Sequence, residues 1–257
     1  MAFLQVNYFS TTLNLEQDIY VILPENEENV QDIPVLYLLH GMCGNHTVWQ
    51  RYSRIERLVR NTNVAVVMPS TDLGFYTNTT YGMNYFDALA IELPKKIHQF
   101  FPQLSTKREK NFVAGLSMGG YGAFKFALGT NNFSHAVSLS GALFMDKDKM
   151  MEMGTQPFWQ GAFGDLSKVS QSRDNLLVLA QEKLDKGEEL PKMYAWCGAQ
   201  DFLFEANNYV TSQLKDMGYP LTYEVEDGTH EWYYWDKMLD RVLEWLPIGY
   251  VQEERLS

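Results

Sequence analysis

Residues 3–11 and 18–23 alternate apolar and polar side chains with the period of a half-buried strand. The short polar stretch between them predicts an antiparallel hairpin. After an acidic loop over 25–32 the pattern changes. Residues 35–39, 64–68, 112–114, 136–139 and 193–196 are short apolar runs without alternation, as in strands covered on both faces, while 221–225 alternates and reads as nearer a sheet edge. Segments with helical periodicity lie between them, at 85–100, 121–128, 175–184, 205–217 and 232–246. Strands alternating with helices predict an α/β fold, with a mainly parallel central sheet, an antiparallel N-terminal hairpin and helices on both faces. No stretch has linker composition and no repeat is found, so 1–257 is read as one domain.

In such a sheet ligands bind beyond the carboxyl ends of the strands, so chemistry is expected in the residues that follow each apolar run. Those positions hold His40-Gly41-Met42-Cys43-Gly44, Pro69-Ser70-Thr71-Asp72, Gly115-Leu116-Ser117-Met118-Gly119, Gly141-Ala142, Gly198-Ala199-Gln200-Asp201 and Asp227-Gly228-Thr229-His230. The third matches G-x-S-x-G, the tight strand-to-helix elbow that presents a nucleophilic serine in α/β-hydrolases. Three fixed positions match by chance in roughly one chain of this length in ten. The apolar run before the motif and the helical pattern after it make Ser117 the candidate nucleophile. The rival, a phosphate-binding glycine turn, lacks the lysine of a P-loop and the spacing of a dinucleotide fingerprint.

A serine hydroxyl needs a base, usually a histidine held by a carboxylate. The chain order Ser, acid, His selects His230 from five histidines, because only it follows the last plausible acid. Among Asp146, Asp148, Asp165, Asp174, Asp185, Asp201, Asp216 and Asp227, only Asp201 directly follows a buried-type strand and its glycine turn. Asp227 is the reserve. The oxyanion donors are read as the backbone N–H groups of Met118, next to the nucleophile, and Met42, in the glycine-rich loop after the first parallel strand. A neutral imidazole is required, so activity should rise with pH as histidine loses its proton.

These blocks resemble the tributyrin-esterase branch of the esterase D family of α/β-hydrolases, which includes S-formylglutathione hydrolases and, more distantly, mycolyltransferases. The resemblance rests on Leu38-Leu39-His40-Gly41-Met42-Cys43-Gly44-Asn45, on Met68-Pro69-Ser70-Thr71-Asp72 with Tyr85-Phe86-Asp87, on 115–121, on Trp196-Cys197-Gly198 with Asp201-Phe202, and on Gly228-Thr229-His230-Glu231-Trp232. It implies a serine carboxylesterase for short acyl esters, working through an acyl-enzyme on Ser117, Asp201 and His230, without metal or cofactor, and often as a homo-oligomer. At 42–45 the chain departs from the glutathione-thioester specialists, which points to generic ester cleavage. Two other readings are acyl transfer to an alcohol or sugar acceptor and a non-catalytic binding scaffold of the same fold.

Composition narrows the partners further. With 21 basic and 32 acidic side chains the net charge is −11, and the densest basic cluster, 107–110, is interrupted by Glu109. Nucleic acid and anionic membrane are poor partners for such a chain, and a small-molecule ester suits it. The amino terminus lacks a secretory layout and no apolar run is long enough to span a bilayer, so a soluble cytoplasmic protein is expected. Cys43 and Cys197 are too few for a disulfide framework, and both read as buried. Alkylation of Cys43 is expected to block the pocket sterically. His40 and His46 lack a third metal ligand at suitable spacing. Trp49, Tyr76 and Tyr81 flank the candidate loops as possible substrate contacts, with core packing as the competing reading. Met145, Met150, Met151 and Met153 suggest a small cap or lid within 142–174, against a loop packed on the domain or on another subunit. The aromatic run from Trp232 to Trp235 reads as the core face of the last periodic segment.

Overall fold

A computed structural model describes residues 1–25, 31–143 and 147–252, so Met145, Asp146 and most of the acidic stretch at 25–32 lie outside the described residues. The two alternating segments form β1 (Ala2–Ser10) and β2 (Leu15–Leu23), antiparallel and in register from Ala2 opposite Leu23 to Ser10 opposite Leu15. The apolar runs become β3 (Val35–Leu39), β4 (Ala65–Met68), β5 (Asn111–Leu116), β6 (His135–Leu139) and β7 (Lys192–Gly198), and the alternating run becomes β8 (Leu221–Glu226). All eight form one sheet in the order β1-β2-β4-β3-β5-β6-β7-β8, with β3 to β8 parallel and β2 antiparallel to β4. Every residue of β3, β5 and β6 is buried, which is why these strands lack alternation: the sheet is covered on both sides.

The helices, in chain order, are α1 (Val48–Tyr52), α2 (Ile55–Leu58), α3 (Leu93–Phe100), α4 (Met118–Gly129), α5 (Lys147–Met153), α6 (Gln156–Phe163), α7 (Leu176–Asp185), α8 (Phe204–Asp216) and α9 (Trp232–Trp245). One core layer packs Leu36, Leu38, Phe112 and Ala114 against Trp235, Met238, Leu239 and Val242 of α9 and Ile55 and Leu58 of α2. The other packs Tyr37, Val113 and Ala136 against the apolar sides of α3, α4, α7 and α8. Helices α1 and α2 were not foreshadowed, since four or five residues are too few to display a 3.6-residue period. The helix expected over 85–100 opens as a π-helical turn, Asp87–Glu92, before α3. Pro94 has no N–H to offer the Ala90 carbonyl, which accepts from Asn132 Nδ2 at 2.8 Å instead.

Long-range polar contacts fix the outer elements. Glu92 accepts from the Ser10 and Thr11 hydroxyls, both at 2.6 Å, and from the Thr11 N–H at 2.8 Å, pinning the hairpin tip. At the opposite edge of the sheet, Arg241 of α9 reaches Glu224 at 3.0 Å and Glu226 at 2.6 Å on β8.

The sheet also dictates where a site can form. The connection after β3 runs to β4 on one side and the connection after β5 runs to β6 on the other, so the loops after β3 and β5 diverge around a crevice at their carboxyl ends. His40 closes the floor of that region. It is fully buried; its Nδ1–H donates to the Gly41 carbonyl at 2.7 Å, and its Nε2 accepts from the Thr71 N–H at 3.0 Å. Those partners require the neutral ring, and burial lowers its pKa to about 4. The unfolded chain therefore binds a proton that the native state refuses between about pH 6.5 and 4, so stability present above that window is lost as pH falls through it. The expected loss from His40 is about 3 kcal/mol between pH 7 and pH 4. Urea midpoints across this range check it, and a His40→Gln variant with an unchanged pH slope would contradict it.

Candidate active site

Ser117 sits between the end of β5 and α4 with φ 53° and ψ −119°. A non-glycine residue holds such a conformation only under surrounding constraint. The constraint is visible: the Ser117 N–H donates to Leu139 O at 2.9 Å, its carbonyl accepts from the Ala142 N–H at 3.1 Å, and the Tyr121 N–H returns to it at 3.2 Å. The glycines of the motif allow the crossing. A Cβ on Gly115 would strike the Gly119 carbonyl, and one on Gly119 would strike Leu39 O. In the loop after β3, a Cβ at Gly41 would collide with the Leu116 side chain and stand 3.4 Å from the Ser117 Cβ, so only glycine brings this backbone so near the serine.

Three strand ends deliver the polar groups. The Ser117 hydroxyl and His230 Nε2 are 3.0 Å apart, and His230 Nδ1 lies 2.9 and 3.1 Å from the two oxygens of Asp201. An ionised carboxylate only accepts, so Nδ1 carries the proton and Nε2 is free to take one from the serine. Burial opposes the charge on Asp201, but the His230 contact and the Leu203 N–H, 2.8 Å from Oδ1, hold its carboxyl below the usual range. The imidazole is flanked by the rings of Phe202 and Trp235, with centroids at 4.6 and 4.9 Å. The loops carrying Asp201 and His230 are joined by Gln200, whose Oε1 accepts from the Gly228 N–H at 2.7 Å and whose own N–H donates to Gly228 O at 3.0 Å. The sequence reading missed this clasp. Its trace was the pair Gly198 and Gly228, since a Cβ on Gly198 would overlap the Gly228 carbonyl.

Ser117 and His230 open onto a cleft of about 880 Å³, whose walls include Met42, Cys43, Tyr52, Met153, Phe202, Trp232 and Trp235. Met42 thus borders the cleft. Met118 is the first residue of α4, so its N–H has no acceptor within the helix.

The aromatic contacts need correction. Trp49 is buried in the core with its indole N–H on Leu39 O at 2.9 Å, and Tyr76 is buried with its hydroxyl on His40 O at 2.9 Å; both spend their polar atoms on the scaffold and neither lines the cleft. Tyr81 is exposed and also outside the cleft wall, with its ring beside Gly161. Trp232 and Trp235, read as core alone, border the cleft as well. Cys43, expected to be buried, is exposed: a left-handed turn at φ 64° directs it out of the scaffold. Cys197 is buried, and burial pushes its thiol pKa up.

Within 142–174, Met150 is buried, Met151 exposed and Met153 at the cleft wall. The far end of this segment is tied to α4 by Asp174, which accepts from the buried Lys125 ammonium; Lys125 also donates to the Thr77 hydroxyl at 2.7 Å and the Tyr121 hydroxyl at 3.1 Å. Among the described residues no group of three His, Cys, Asp or Glu side chains is arranged to hold a metal ion, and no helix is long and apolar enough to cross a membrane.

The sheet order, the antiparallel amino-terminal hairpin and the strand-end elbow define an α/β-hydrolase. A family profile described as putative esterase matches residues 10–246. An acetyl esterase from Caldicellulosiruptor saccharolyticus is 34% identical over 263 residues, covering 96% of this chain and 98% of the relative. Among solved structures, the substrate-bound fluorophosphonate-binding serine hydrolase FphF of Staphylococcus aureus superposes with a TM-score of 0.88 at 34% identity, covering 95% of this chain and 98% of that one. The S-formylglutathione hydrolase FrmB of the same organism, as apoenzyme, gives 0.86 at 34% identity over the same shares. The chain belongs to the putative esterase family, as an esterase D-like carboxylic ester hydrolase.

Proposed function

We propose that the chain is a serine carboxylesterase that cleaves short-chain acyl esters through an acyl-enzyme on Ser117. The observation that carries this reading is the continuous relay from the Ser117 hydroxyl through His230 to Asp201. His230 Nε2 takes the hydroxyl proton as Ser117 attacks the ester carbonyl, Asp201 stabilises the imidazolium, and the N–H groups of Met42 and Met118 hold the oxyanion. The imidazolium then protonates the departing alcohol. Water enters and gives its proton to the same ring as it attacks the acyl carbonyl; the ring then returns that proton to the Ser117 oxygen as its bond to the acyl carbon breaks and the acid departs. Labelling with a fluorophosphonate probe followed by peptide mapping tests this directly: the adduct is expected on Ser117, and an intact Ser117 in a fully inhibited enzyme would refute it.

The acyl preference follows from the space beside the cleft. A compartment of about 60 Å³ is walled mainly by Phe75, Met150, Trp159 and Leu203, with Glu205 also at its wall, and shares Glu152, Met153 and Phe202 with the main cleft. It has room for roughly two to four non-hydrogen atoms. The segment 142–174, as a small cap, supplies Met150, Met153 and Trp159. Each further methylene accommodated in apolar surroundings contributes about 0.8 kcal/mol, so a space enlarged by two methylenes favours the longer acyl chain by about an order of magnitude. Met153→Ala is expected to raise the ratio of kcat/KM for hexanoyl over butyryl esters by that factor. Kinetics across a graded acyl series, with S-formylglutathione and acetylated oligosaccharides included, measures it; an unchanged ratio excludes Met153 as the limit.

A further inference from the structure

Asn207 lies in the first turn of α8 and is fully buried. Its amide nitrogen gives both protons to carbonyls, to Gly141 O at 2.8 Å and to Leu203 O at 2.9 Å. The amide oxygen is buried as well and meets no hydrogen-bond partner among the described residues. An unmade buried acceptor is unfavourable, and Leu203 O already receives the Asn207 backbone N–H at 2.9 Å, so the stability of the helix does not call for this side chain. What the amide adds is the reach to Gly141.

Gly141 is in the loop after β6, the strand between β5, which leads to Ser117, and β7, which leads to Asp201. The Gly141–Ala142 peptide is trans, so its carbonyl and its N–H point in opposite directions. With the carbonyl held by Asn207, the N–H faces Ser117 O at 3.1 Å. That bond is one of the constraints on a serine held at φ 53° and ψ −119°. On the other side Leu203, whose carbonyl takes the second amide proton, gives its own N–H to Asp201 Oδ1 at 2.8 Å. One buried amide thus joins the peptide that braces the nucleophile to the turn that braces the acid.

We propose that Asn207 is a positioning residue that sets the spacing of the elbow and the acid turn, acting on Ser117 through the Gly141–Ala142 peptide and on Asp201 through Leu203. It borders neither the main cleft nor the acyl compartment, so it makes no contact with substrate. Its effect falls on the alignment of hydroxyl, imidazole and carboxylate, where a shift of a fraction of an ångström spoils the 3.0 Å approach of Ser117 to His230. Without the amide the Gly141 carbonyl is free to turn, and the N–H of the same peptide turns away from Ser117 with it. The inference rests on the assignment of Ser117, His230 and Asp201 in the proposed function.

The test compares the parent with Asn207→Leu on a chromogenic acetate ester, with active sites counted by exhaustive fluorophosphonate labelling. Acetate keeps the acyl chain short, because Ala142 and Leu203 also wall the acyl compartment. Leucine removes the unmade acceptor and leaves the Gly141 carbonyl unpaired in its place, so the two costs offset and Tm should stay close to that of the parent. The kcat per labelled site is expected to fall by about ten- to thirtyfold, with KM within about twofold of the parent. Asn207→Ser serves if the leucine variant folds poorly. A helical hydroxyl returns to the carbonyl four residues back, as Thr211 does to Asn207 O at 2.7 Å, so serine keeps the link to Leu203, loses the one to Gly141 and should show the same fall in kcat. Parental kcat per labelled site in the variant that folds, or a rise in KM alone, would overturn the inference and leave the relay standing. A parent enzyme that hydrolyses the ester yet takes no label on Ser117 would overturn the proposed function and this inference with it.

Discussion

Replacing Ser117 by alanine is expected to lower kcat for an activated butyrate ester by about five to six orders of magnitude, with Tm close to that of the parent. Among the described residues the hydroxyl is the only group hydrogen-bonded to His230 Nε2, at 3.0 Å, and alanine keeps the Cβ and hence the backbone preference at this position. Nothing structural hangs on the oxygen: the contacts that shape the elbow are made by the Ser117 backbone, to Leu139, Ala142 and Tyr121. Residual activity should come from water attacking a substrate still held by the oxyanion donors, so it should be insensitive to fluorophosphonates. A folded alanine variant retaining more than about 1% of kcat would be incompatible with attack by this side chain.

The largest expected loss of stability comes from a single methyl at Gly115. Its Cβ would overlap the carbonyl of Gly119 and stand 2.9 Å from the Gly119 Cα, and these atoms belong to backbone rather than to a flexible side chain. The strand cannot retreat, because Gly115 is paired with Leu39 on β3 and with Ser138 on β6. Nor can the helix, because the β3 backbone lies directly behind Gly119: even a Cβ built there would meet the Leu39 and His40 carbonyl oxygens. Gly115→Ala should therefore cost more than about 3 kcal/mol, at the upper end for overpacking, and should displace Ser117 from His230. Urea unfolding together with the soluble fraction on expression measures the effect; a loss under about 1 kcal/mol would mean that β5 and α4 are less tightly crossed than described.

The parallel strands were legible because a sheet covered on both faces requires apolar residues at successive positions, as in 35–39 and 136–139. Ser117, Asp201 and His230 could be singled out for a related reason: each lies just beyond a strand, and topology alone carries strand ends to one rim. What stayed illegible depends on which way a side chain faces in three dimensions. Trp49 and Trp232 are both aromatic residues beside site loops, and they pack edge to face with centroids 5.1 Å apart, yet only Trp232 borders the cleft. Cys43 has apolar neighbours in sequence, and a left-handed backbone overrides them. The π-helical turn before α3 follows from Pro94 only once Asn132, 38 positions further along, is known to occupy the vacant carbonyl.

Strand β8 has β7 on one side and, among the described residues, no strand on the other. Its outward backbone groups are the kind of template on which a foreign strand can nucleate a fibre. Glu224 and Glu226 are bound to Arg241, so a docking strand would have to desolvate three charges held at a fixed place. This guards the border against edge-to-edge aggregation. Replacing the two glutamates by threonine would preserve a good strand former there while removing the guard, trading colloidal behaviour for local β-propensity.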